Sequence, residues 1–423
     1  MADYFVNWLA FVKDLVFKQN FTFDATENAW VKISQTIDFS FGFFGFNGDG
    51  RFIAVYSNYD FQPQFTDKTF SNEVLYFEPE ANKKDSTYWE EERPIQLTDE
   101  ETNDYLKKDS IQELRKSKKY LDSVDAVQNK FNLLSPLFGY TYKNSYEKWS
   151  LTYNAPLPGV NFNTVQGWNG GAGLSFFKWY DDYQTQWWYA SVDANYGIAE
   201  DRLRWKATTT RKFNNVNDLQ LTVFGGSEAR QFNNANPISP LVNTVSTLFF
   251  ERNYMKLYEL NYAGAAWSQE LFNGLRTSLS VSYQERNPLF NNTDYVTLPQ
   301  DDKTYSSNNP LDPTDFTNPG IMSHTLVKTN LNAQITFGQK YMTYPDGKFN
   351  LGNSKYPRLG IQLENALGAS NTDYNYTQVA ASVYQNVDVN NLGDFVYRIK
   401  GGTFLDGDNI SFVDFQHFNG NQT

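Results

Sequence analysis

The chain lacks cysteine altogether and has only two histidines, His324 and His417, among its 423 residues. The absence of cysteine excludes disulfides, thiolate chemistry and metal sites with sulfur ligands. A histidine-based metal cluster is also disfavoured, because such a site usually draws on several imidazole ligands. The sequence therefore predicts no metal site and no cofactor.

Long hydrophobic runs and an excess of basic residues are missing as well. No stretch reaches the roughly 18 consecutive apolar residues that a transmembrane helix needs. Mean hydropathy is −0.59, which is too polar for a helical membrane protein. Lys and Arg number 36 against 48 Asp and Glu, so the net charge is −12. This acidic balance argues against nucleic acid as a partner, because phosphate binding requires a basic surface.

Familiar catalytic motifs are also missing. The chain has no G-x-S-x-G nucleophile elbow, no H-E-x-x-H zinc motif and no glycine-rich phosphate loop. The glycine-rich run 167–173 lacks the spacing of a dinucleotide site, so we interpret it as the start of a strand. Residues 406–409 begin like a calcium loop but lack the later glutamate, and we interpret them as a turn. The sequence predicts a protein that is not an enzyme.

What the chain does contain is strict alternation of apolar and polar residues, clearest between Trp187 and Val223. Three consecutive segments there place apolar residues on one face and polar residues on the other, with a short polar turn after each of the first two. Leu275 to Arg286 repeats the pattern. Two structures require it: a soluble antiparallel sheet with one wet face, or a membrane barrel with a polar lumen.

Strand length favours the membrane barrel. Soluble strands usually have about five or six residues, whereas a tilted strand needs about 9–11 to cross a membrane. The alternating segments have the length of about 9–11 residues that a membrane-crossing strand needs. We therefore predict an all-β fold, an antiparallel transmembrane β-barrel of which this chain holds a part, with a charged helical linker.

Aromatic residues make up 17% of the chain, and barrels use aromatics as girdles at the two membrane interfaces. Aromatics also simply favour strands, and exposed tryptophans can stack on sugars. Five tryptophans near strand ends are candidates for an interfacial belt: Trp168, Trp179, Trp187, Trp188 and Trp205.

Charged residues on the polar side of these strands are candidates for the barrel lumen. They are Arg202, Arg204, Lys206, Arg276, Arg286 and Asp193. The cations could line an anion-selective lumen. Alternatively, they pair with Asp193 and Glu285 in a closed barrel of modest size.

Three parts are predicted along the chain. Residues 1–92 form a β-rich segment, either a periplasmic sheet or the first barrel strands, with a hairpin turn at Asn47-Gly48-Asp49-Gly50. Residues 93–135 form the charged helical linker, which starts with a capping box at Thr98 and Glu101. Residues 136–423 form the barrel, and the pattern of its turns requires long loops at 230–251 and 287–323. The loop 339–357 is long where a short turn is expected.

The two ends of the sequence indicate that the chain is a fragment of a longer protein. Residues 1–20 have apolar positions but no basic region before them and no small-residue cleavage site, so they make a poor signal peptide. Residues 414–423 end at a turn-like Asn-Gly-Asn that would leave an edge strand unpaired. We expect the chain to be an internal piece of a longer gene product, truncated at the C-terminal end of the barrel.

Several runs resemble the uncharacterised outer-membrane proteins of Bacteroidetes that place a carboxypeptidase-regulatory-like (transthyretin-like) domain before a β-barrel. The runs are Tyr88–Thr98, Lys108–Ser110, Tyr120–Ser123, Gly139–Tyr142, Phe162–Trp168 and Asp414–Asn421. The resemblance covers most of the chain from Asn72 onward. The regulatory-like domain, the signal peptide and the last strands have no counterpart here. The resemblance implies the outer membrane but transfers no catalytic residue.

These observations predict an outer-membrane β-barrel protein of the bacterial cell envelope, with a non-enzymatic role in transport or envelope assembly. Its expected partners are the lipid bilayer of the outer membrane and periplasmic or envelope proteins. The alternative is a soluble or surface-exposed β-rich module that binds glycans.

Overall fold

The computed structural model describes residues 12–43, 46–66, 69–93, 95–300, 303–352, 354–407 and 409–417. The chain divides into two compact units, Met1–Ser71 with Lys83–Thr102 and Asn72–Asn82 with Asn103–Thr423. Residues 1–11 of the segment 1–20, which we expected not to be a signal peptide, lie outside the described residues, and so does the terminal Asn-Gly-Asn.

A three-stranded antiparallel sheet forms the first unit. Its strands are β1 (Val12–Asp24), β2 (Ala29–Phe43) and β3 (Phe46–Val55), with β2 in the centre. Asp24 accepts a hydrogen bond from the backbone N–H of Thr26 and so stabilises the turn between β1 and β2.

The predicted hairpin turn at Asn47-Gly48-Asp49-Gly50 is wrong, because these residues lie inside β3. Gly48 pairs with Phe41 and Gly50 with Phe39. A Cβ atom at either glycine would lie within 3 Å of the facing ring. The glycines therefore leave room for phenylalanine rings across the strand pair, which is a packing role and not a turn role.

The helical region consists of α1 (Ser86–Glu92), α2 (Asp99–Lys116), α3 (Lys118–Gln128) and α4 (Ser135–Phe138). The capping box is confirmed: Thr98 N donates to Glu101 Oε2 at 2.8 Å, and Glu101 N donates to Thr98 Oγ1 at 3.2 Å. Ser117 separates α2 from α3 and caps α3 by accepting from Tyr120 N at 3.3 Å.

The predicted boundary between segments 1–92 and 93–135 changes in two ways. Helix α1 begins at Ser86, before the predicted linker. Strand β4 (Glu73–Tyr76) belongs with the second unit, because it pairs with a strand far along the chain. Neither feature has a periodic signal in the sequence.

Within the described ranges, the second unit holds a 13-stranded antiparallel sheet. Its strands are β5 (Tyr140–Asn144), β6 (Trp149–Asn154), β7 (Asn161–Asn163), β8 (Gly167–Trp179), β9 (Trp187–Gly197), β10 (Arg202–Lys212), β11 (Gln220–Gln231), β12 (Leu257–Phe272), β13 (Leu275–Pro288), β14 (His324–Thr336), β17 (Arg358–Leu367), β18 (Tyr376–Asp388) and β19 (Asp394–Asp406). The order is β19-β18-β17-β14-β13-β12-β11-β10-β9-β8-β6-β5, and β7 pairs with β8. The prediction of a mostly β chain is confirmed. In the part of the chain that the structure describes, the hydrogen-bonded path ends at β5 and at β19.

The connections of this sheet differ between its two ends. At one end, which we name the long-loop end, lie the connection 232–256, with helix α5 (Pro240–Phe250), and the connection 289–323. At the other end, which we name the short-turn end, β8–β9, β10–β11 and β12–β13 are joined by short turns. The long segment 339–357 lies there too, and the structure gives its reason. It forms the hairpin β15 (Tyr341–Tyr344) and β16 (Gly347–Asn350), which pairs with β4 in a small sheet.

The buried apolar residues of the sheet gather near the long-loop end. One cluster contains Phe232, Tyr258, Leu260, Ile321 and Val413. A second cluster contains Val165, Met255, Leu257 and Leu289. A third contains Leu326, Ala366, Ala369 and Tyr376. Apolar residues further along the strands are largely exposed instead, as at Val192, Val223 and Ile361. The hydrophobic core thus covers one end of the sheet and leaves an apolar surface further along.

Among the described residues, no helix is both long enough and hydrophobic enough for a membrane span.

Two neighbouring glycines of β19 provide a test of the sheet packing. We expect Gly402→Ala to destabilise the protein by about 1–3 kcal/mol, because the added Cβ would lie 2.7 Å from the Val379 carbonyl oxygen. Urea unfolding followed by tryptophan fluorescence measures the effect.

Gly401→Ala is the matched control, since an added Cβ there meets no atom within 4 Å. We expect it to be neutral or stabilising by up to about 1 kcal/mol, because alanine restricts the unfolded chain. Equal losses for both variants would contradict the register of β18 and β19.

Candidate functional site

The strand register assigns each residue of the large sheet to one of two faces. Cross-strand partners point to the same side, and neighbours along a strand point to opposite sides. We name the side that carries Arg286 the polar face and the side that carries Leu279 the apolar face. All six predicted lumen residues share the polar face: Arg202, Arg204, Lys206, Arg276, Arg286 and Asp193.

Arg286 is the most enclosed of these residues, and its partner comes from outside the sheet. Asp414 lies in a 3₁₀ turn that follows β19. Its carboxylate accepts from Arg286 Nη1 at 2.5 Å and from Arg286 Nη2 at 3.0 Å. The two side chains are 2% and 0% exposed. A bidentate contact of this kind combines high strength with a fixed geometry.

Three more residues complete this group. Lys328 Nζ lies 3.0 Å from Asp414 Oδ1 and 2.8 Å from Glu364 Oε1. The Tyr376 hydroxyl lies 2.6 Å from Glu364 Oε1 and 3.0 Å from Asp414 Oδ1. We name Arg286, Lys328, Glu364, Tyr376 and Asp414 the Asp414 network. Two cations face two carboxylates in it, so its formal charge is balanced.

The charge environment fixes the protonation state of Asp414. Burial by itself would raise the pKa of this carboxyl, but the charges of Arg286 and Lys328 outweigh burial and hold the pKa well below its usual range. Asp414 therefore remains ionised at neutral pH and keeps both cations neutralised.

Apolar contacts hold the same segment in place. Val413 is 1% exposed and belongs to the buried cluster with Phe232, Tyr258 and Leu260. The segment around Asp414 thus contacts side chains from β12, β13, β14 and β18 at once. One short stretch of chain can reach four strands only if the polar face is concave around it.

A second charge network connects β10 with β12. Arg204 forms an ion pair with Glu200, and its Nη2 lies 3.5 Å from Glu259 Oε1. Arg202 Nη2 lies 2.8 Å from the same oxygen. Within the described ranges, β10 pairs with β11 from Lys206 to Lys212, so the two strands separate before Lys206. The arginines span that separation.

A cavity of about 600 Å³ lies beside this second network. Amide side chains line it, namely Asn161, Asn163, Gln166, Asn169 and Asn195. Gly171 lies in its wall and allows β8 to approach β9 closely, because a Cβ there would lie 2.3 Å from the Ala194 carbonyl oxygen. Arg204 Nε is buried and has no hydrogen-bond partner among the described residues. Such a wall offers both donors and acceptors to a polar ligand.

A third group of charges lies at the short-turn end. Asp218 pairs with Lys212 at 2.7 Å and also with Arg276. Nearby, Glu270 of β12 accepts from Lys348 Nζ at 2.8 Å and from Asn350 Nδ2 at 3.2 Å. Because Lys348 and Asn350 belong to β16, Glu270 fixes the small sheet to the large one.

The expected pairing of the inward cations with Glu285 is wrong. Glu285 precedes Arg286 on β13 and therefore points to the apolar face, where it accepts from Asn287 Nδ2 at 3.1 Å. Asp193 does lie on the polar face, opposite Lys206 in the register. The carboxylates that pair with the predicted arginines are Glu200, Asp218, Glu259 and Asp414.

The five candidate tryptophans divide between the faces. Trp168, Trp188 and Trp205 lie on the apolar face and are 39%, 38% and 52% exposed. Trp179 and Trp187 pair with each other on the polar face, where both rings pack against Phe177. The interfacial prediction therefore does not hold for Trp179 and Trp187, because they occupy the alternate strand positions.

Sequence reasoning missed Lys328, Glu364 and Asp414. Lys328 and Glu364 alternate with apolar residues on β14 and β17, so strand periodicity could have placed them on the polar face. Asp414 carries no such signal, because it lies outside every strand and 128 positions from Arg286.

The three charge networks hold strands and loops in position, and a polar cavity lies beside one of them. In the described part of the chain, no cluster of three or more histidine, aspartate and glutamate side chains suits a metal ion. Most charged groups of the three networks form ion pairs and hydrogen bonds with one another.

Removing the Asp414 carboxylate tests the network. We expect Asp414→Asn to destabilise the protein by about 3–5 kcal/mol, because it leaves Arg286 uncompensated in a buried site. The wild type should also lose stability in acid. The folded pKa of Asp414 lies below the unfolded value of about 3.9, so its contribution is present above pH 4 and disappears as pH falls through the folded pKa. Unfolding curves between pH 2 and pH 7 measure both effects.

Asp182→Asn is the control, since Asp182 pairs with Lys148 on the surface and its side chain is 81% exposed. We expect a change within about 0.5 kcal/mol. An Asp414→Asn protein with the wild-type pH profile would show that Asp414 does not make the buried pair.

Comparison with known proteins matches two parts of the chain to one family. Residues 134–423 match the C-terminal domain of a family of unknown function (DUF5686), and residues 7–59 match the family of unknown function (DUF5686) itself. No curated protein and no solved structure matches the chain. The match over 134–423 covers more than half of the sequence, so the chain belongs to the family of unknown function DUF5686.

Proposed function

We propose that this chain is an outer-membrane β-barrel protein of the bacterial cell envelope, with a non-enzymatic role in transport or envelope assembly. The single observation that carries the proposal is the distribution of polarity over the large sheet. Arg204 and Arg286 are buried on the polar face, whereas many large apolar side chains are exposed on the apolar face. A soluble protein has the opposite distribution, because removing charge from water and exposing large apolar surface both cost free energy.

The apolar face is continuous across the strands. One row of cross-strand neighbours from β9 to β18 is apolar at every position except Arg211; it consists of Trp188, Arg211, Leu221, Trp267, Leu279, Leu331, Leu363 and Val379. Exposed apolar patches of this extent mark an interaction surface. A lipid bilayer accounts for such a row, since it surrounds every strand equally.

Strand length supports the same surroundings. Strands β8 to β14 have 11 to 16 residues each. A tilted strand of about 9–11 residues crosses the hydrocarbon core of a bilayer. The polar face would then enclose the lumen, and the segment with Asp414 would close part of it near the long-loop end.

The resemblance to outer-membrane proteins of Bacteroidetes with a carboxypeptidase-regulatory-like domain points to the same compartment. In that setting the lipid bilayer and periplasmic or envelope proteins are the partners. Strands β5 and β19 end the described path, so closure of the cylinder is part of the proposal.

A second candidate function is glycan binding by a soluble or surface-exposed module. The observation that favours it is the amide-lined cavity beside Arg204, whose walls suit the hydroxyl groups of a sugar. As a soluble module, the chain would expose its apolar face to water, which costs free energy.

A pair of valines distinguishes the two candidates. Val223 lies on the apolar face and is 58% exposed, and Val216 lies in the turn before β11 and is 64% exposed. If lipid surrounds the face, Val223→Arg should destabilise the reconstituted protein by about 2–4 kcal/mol, whereas Val216→Arg should cost about 0–1 kcal/mol. Denaturant unfolding in lipid vesicles measures the difference.

A soluble module predicts another result. Both valines would then face water, and both substitutions would stay within about 0.5 kcal/mol. Solubility without detergent and a migration shift with polysaccharide would support that alternative. Heat-modifiable migration in detergent, lost in Val223→Arg and kept in Val216→Arg, would support the barrel.

A further inference from the structure

Two basic residues lie on the apolar face near the short-turn end, where a solvated charge is not expected. Lys178 is on β8 and Arg211 is on β10, and both are in direct register with Trp188 on the strand between them. Neighbouring strands lie about 5 Å apart, so the two Cα atoms are about 10 Å apart. Both side chains are half-buried.

The same aromatic ring receives both cations. The Arg211 guanidinium carbon lies 3.6 Å from the centroid of the Tyr180 ring, and Lys178 Nζ lies 5.5 Å from it. These contacts confirm that both side chains point to the side of the sheet that Tyr180 occupies. The cation–π attraction fixes the guanidinium but leaves its charge uncompensated.

No carboxylate among the described residues forms an ion pair with either cation. The nearest acidic residues in sequence, Asp181 and Asp182, are already engaged. Asp181 accepts from Thr185 N at 2.9 Å, and Asp182 pairs with Lys148. Arg211 Nη1 is buried and has no hydrogen-bond partner in the described part of the chain. Two like charges and a free donor therefore converge on one place without an anion.

We propose that Lys178 and Arg211 bind the phosphate of an anionic glycerophospholipid at the membrane interface. The inference rests on the proposed function, because it requires lipid at the apolar face. A phosphate accepts hydrogen bonds from guanidinium and ammonium groups, and its charge neutralises the pair. The acyl chains would lie along the exposed apolar side chains of the same strands.

The aromatic surroundings suit a headgroup position. Trp149 is in register with Lys178, and Trp188 lies between the two cations. Trp188 Nε1 donates to Thr209 Oγ1 at 2.7 Å, so its ring is fixed beside the site. Tryptophan and tyrosine concentrate at the level of lipid headgroups, because their rings are apolar and their edges are polar.

The test counts bound lipid on protein that has already been inserted. The full chain is reconstituted in vesicles, extracted with its bound lipids and analysed by native mass spectrometry with phosphatidylglycerol or phosphatidylethanolamine supplied. We expect the wild type to retain phosphatidylglycerol preferentially. In the variant Lys178→Gln/Arg211→Gln we expect the affinity to fall roughly fivefold per cation removed and about 30-fold for the pair.

Arg398→Gln/Lys400→Gln is the matched control. It removes the same charge from exposed residues of β19 on the polar face, in register with Tyr384 and Ser382. We expect this control to retain the lipid like the wild type, and we expect Lys178→Arg/Arg211→Lys to keep most of the affinity. Equal loss in the control, or no preference for phosphatidylglycerol in the wild type, would overturn the site.

Inorganic phosphate separates a lipid site from a free anion site. Displacement of phosphatidylglycerol by millimolar inorganic phosphate would overturn the lipid assignment. A chain that enters no bilayer would refute the proposed function itself, whereas an inserted chain without bound anionic lipid would refute this inference alone.

Discussion

Compensation of buried charge on the polar face is the constraint on which the rest of the large sheet depends. An isolated charge without solvent costs far more than any single contact returns, and three of the enclosed cations pair with carboxylates from elsewhere in the chain. Arg286 pairs with Asp414 in a turn after β19, Arg204 pairs with Glu200 and Glu259, and Lys348 pairs with Glu270. Because the partners come from different strands and loops, each pair also fixes the position of one element against another.

This constraint explains the positions of two segments that lie against the large sheet. The segment with Val413 and Asp414 is short and has little secondary structure, yet both residues are fully enclosed. The β15–β16 hairpin occupies a connection that could have been a tight turn, and Glu270 holds it through Lys348 and Asn350. Both segments lie against polar side chains of the sheet and contribute the charges or amides that those side chains need.

The distribution of the apolar residues complements the paired charges of the polar face. The buried clusters near the long-loop end supply the hydrophobic contacts that a water-soluble core would supply. Further along the strands, apolar side chains such as Val223 and Ile361 are exposed among the described residues, and polar side chains occupy the other face. A nonpolar environment at the apolar face would stabilise a sheet with this pattern, and this links the fold to the proposed membrane setting.

The sequence by itself determined the long alternating strands and the faces of their residues, because side chains alternate with period two and this signal is local. The strand that begins at Leu275, the capping box at Thr98 and the shared face of Arg276 and Arg286 all followed from neighbouring residues. Local patterns misjudged Gly48 and Gly50, since their role depends on the rings of Phe41 and Phe39 across the strand pair.

Only the tertiary structure decided which charges meet. Asp414 and Arg286 lie 128 positions apart in the sequence. Glu73 of β4 lies in register with Tyr341 of β15. Lys178 and Arg211 converge on the Tyr180 ring through the register of three strands. A carboxylate in a loop has the same local sequence whether it is solvated or buried. Its partner is set by chain topology, and topology arises from the sum of all strand pairings and not from any one segment.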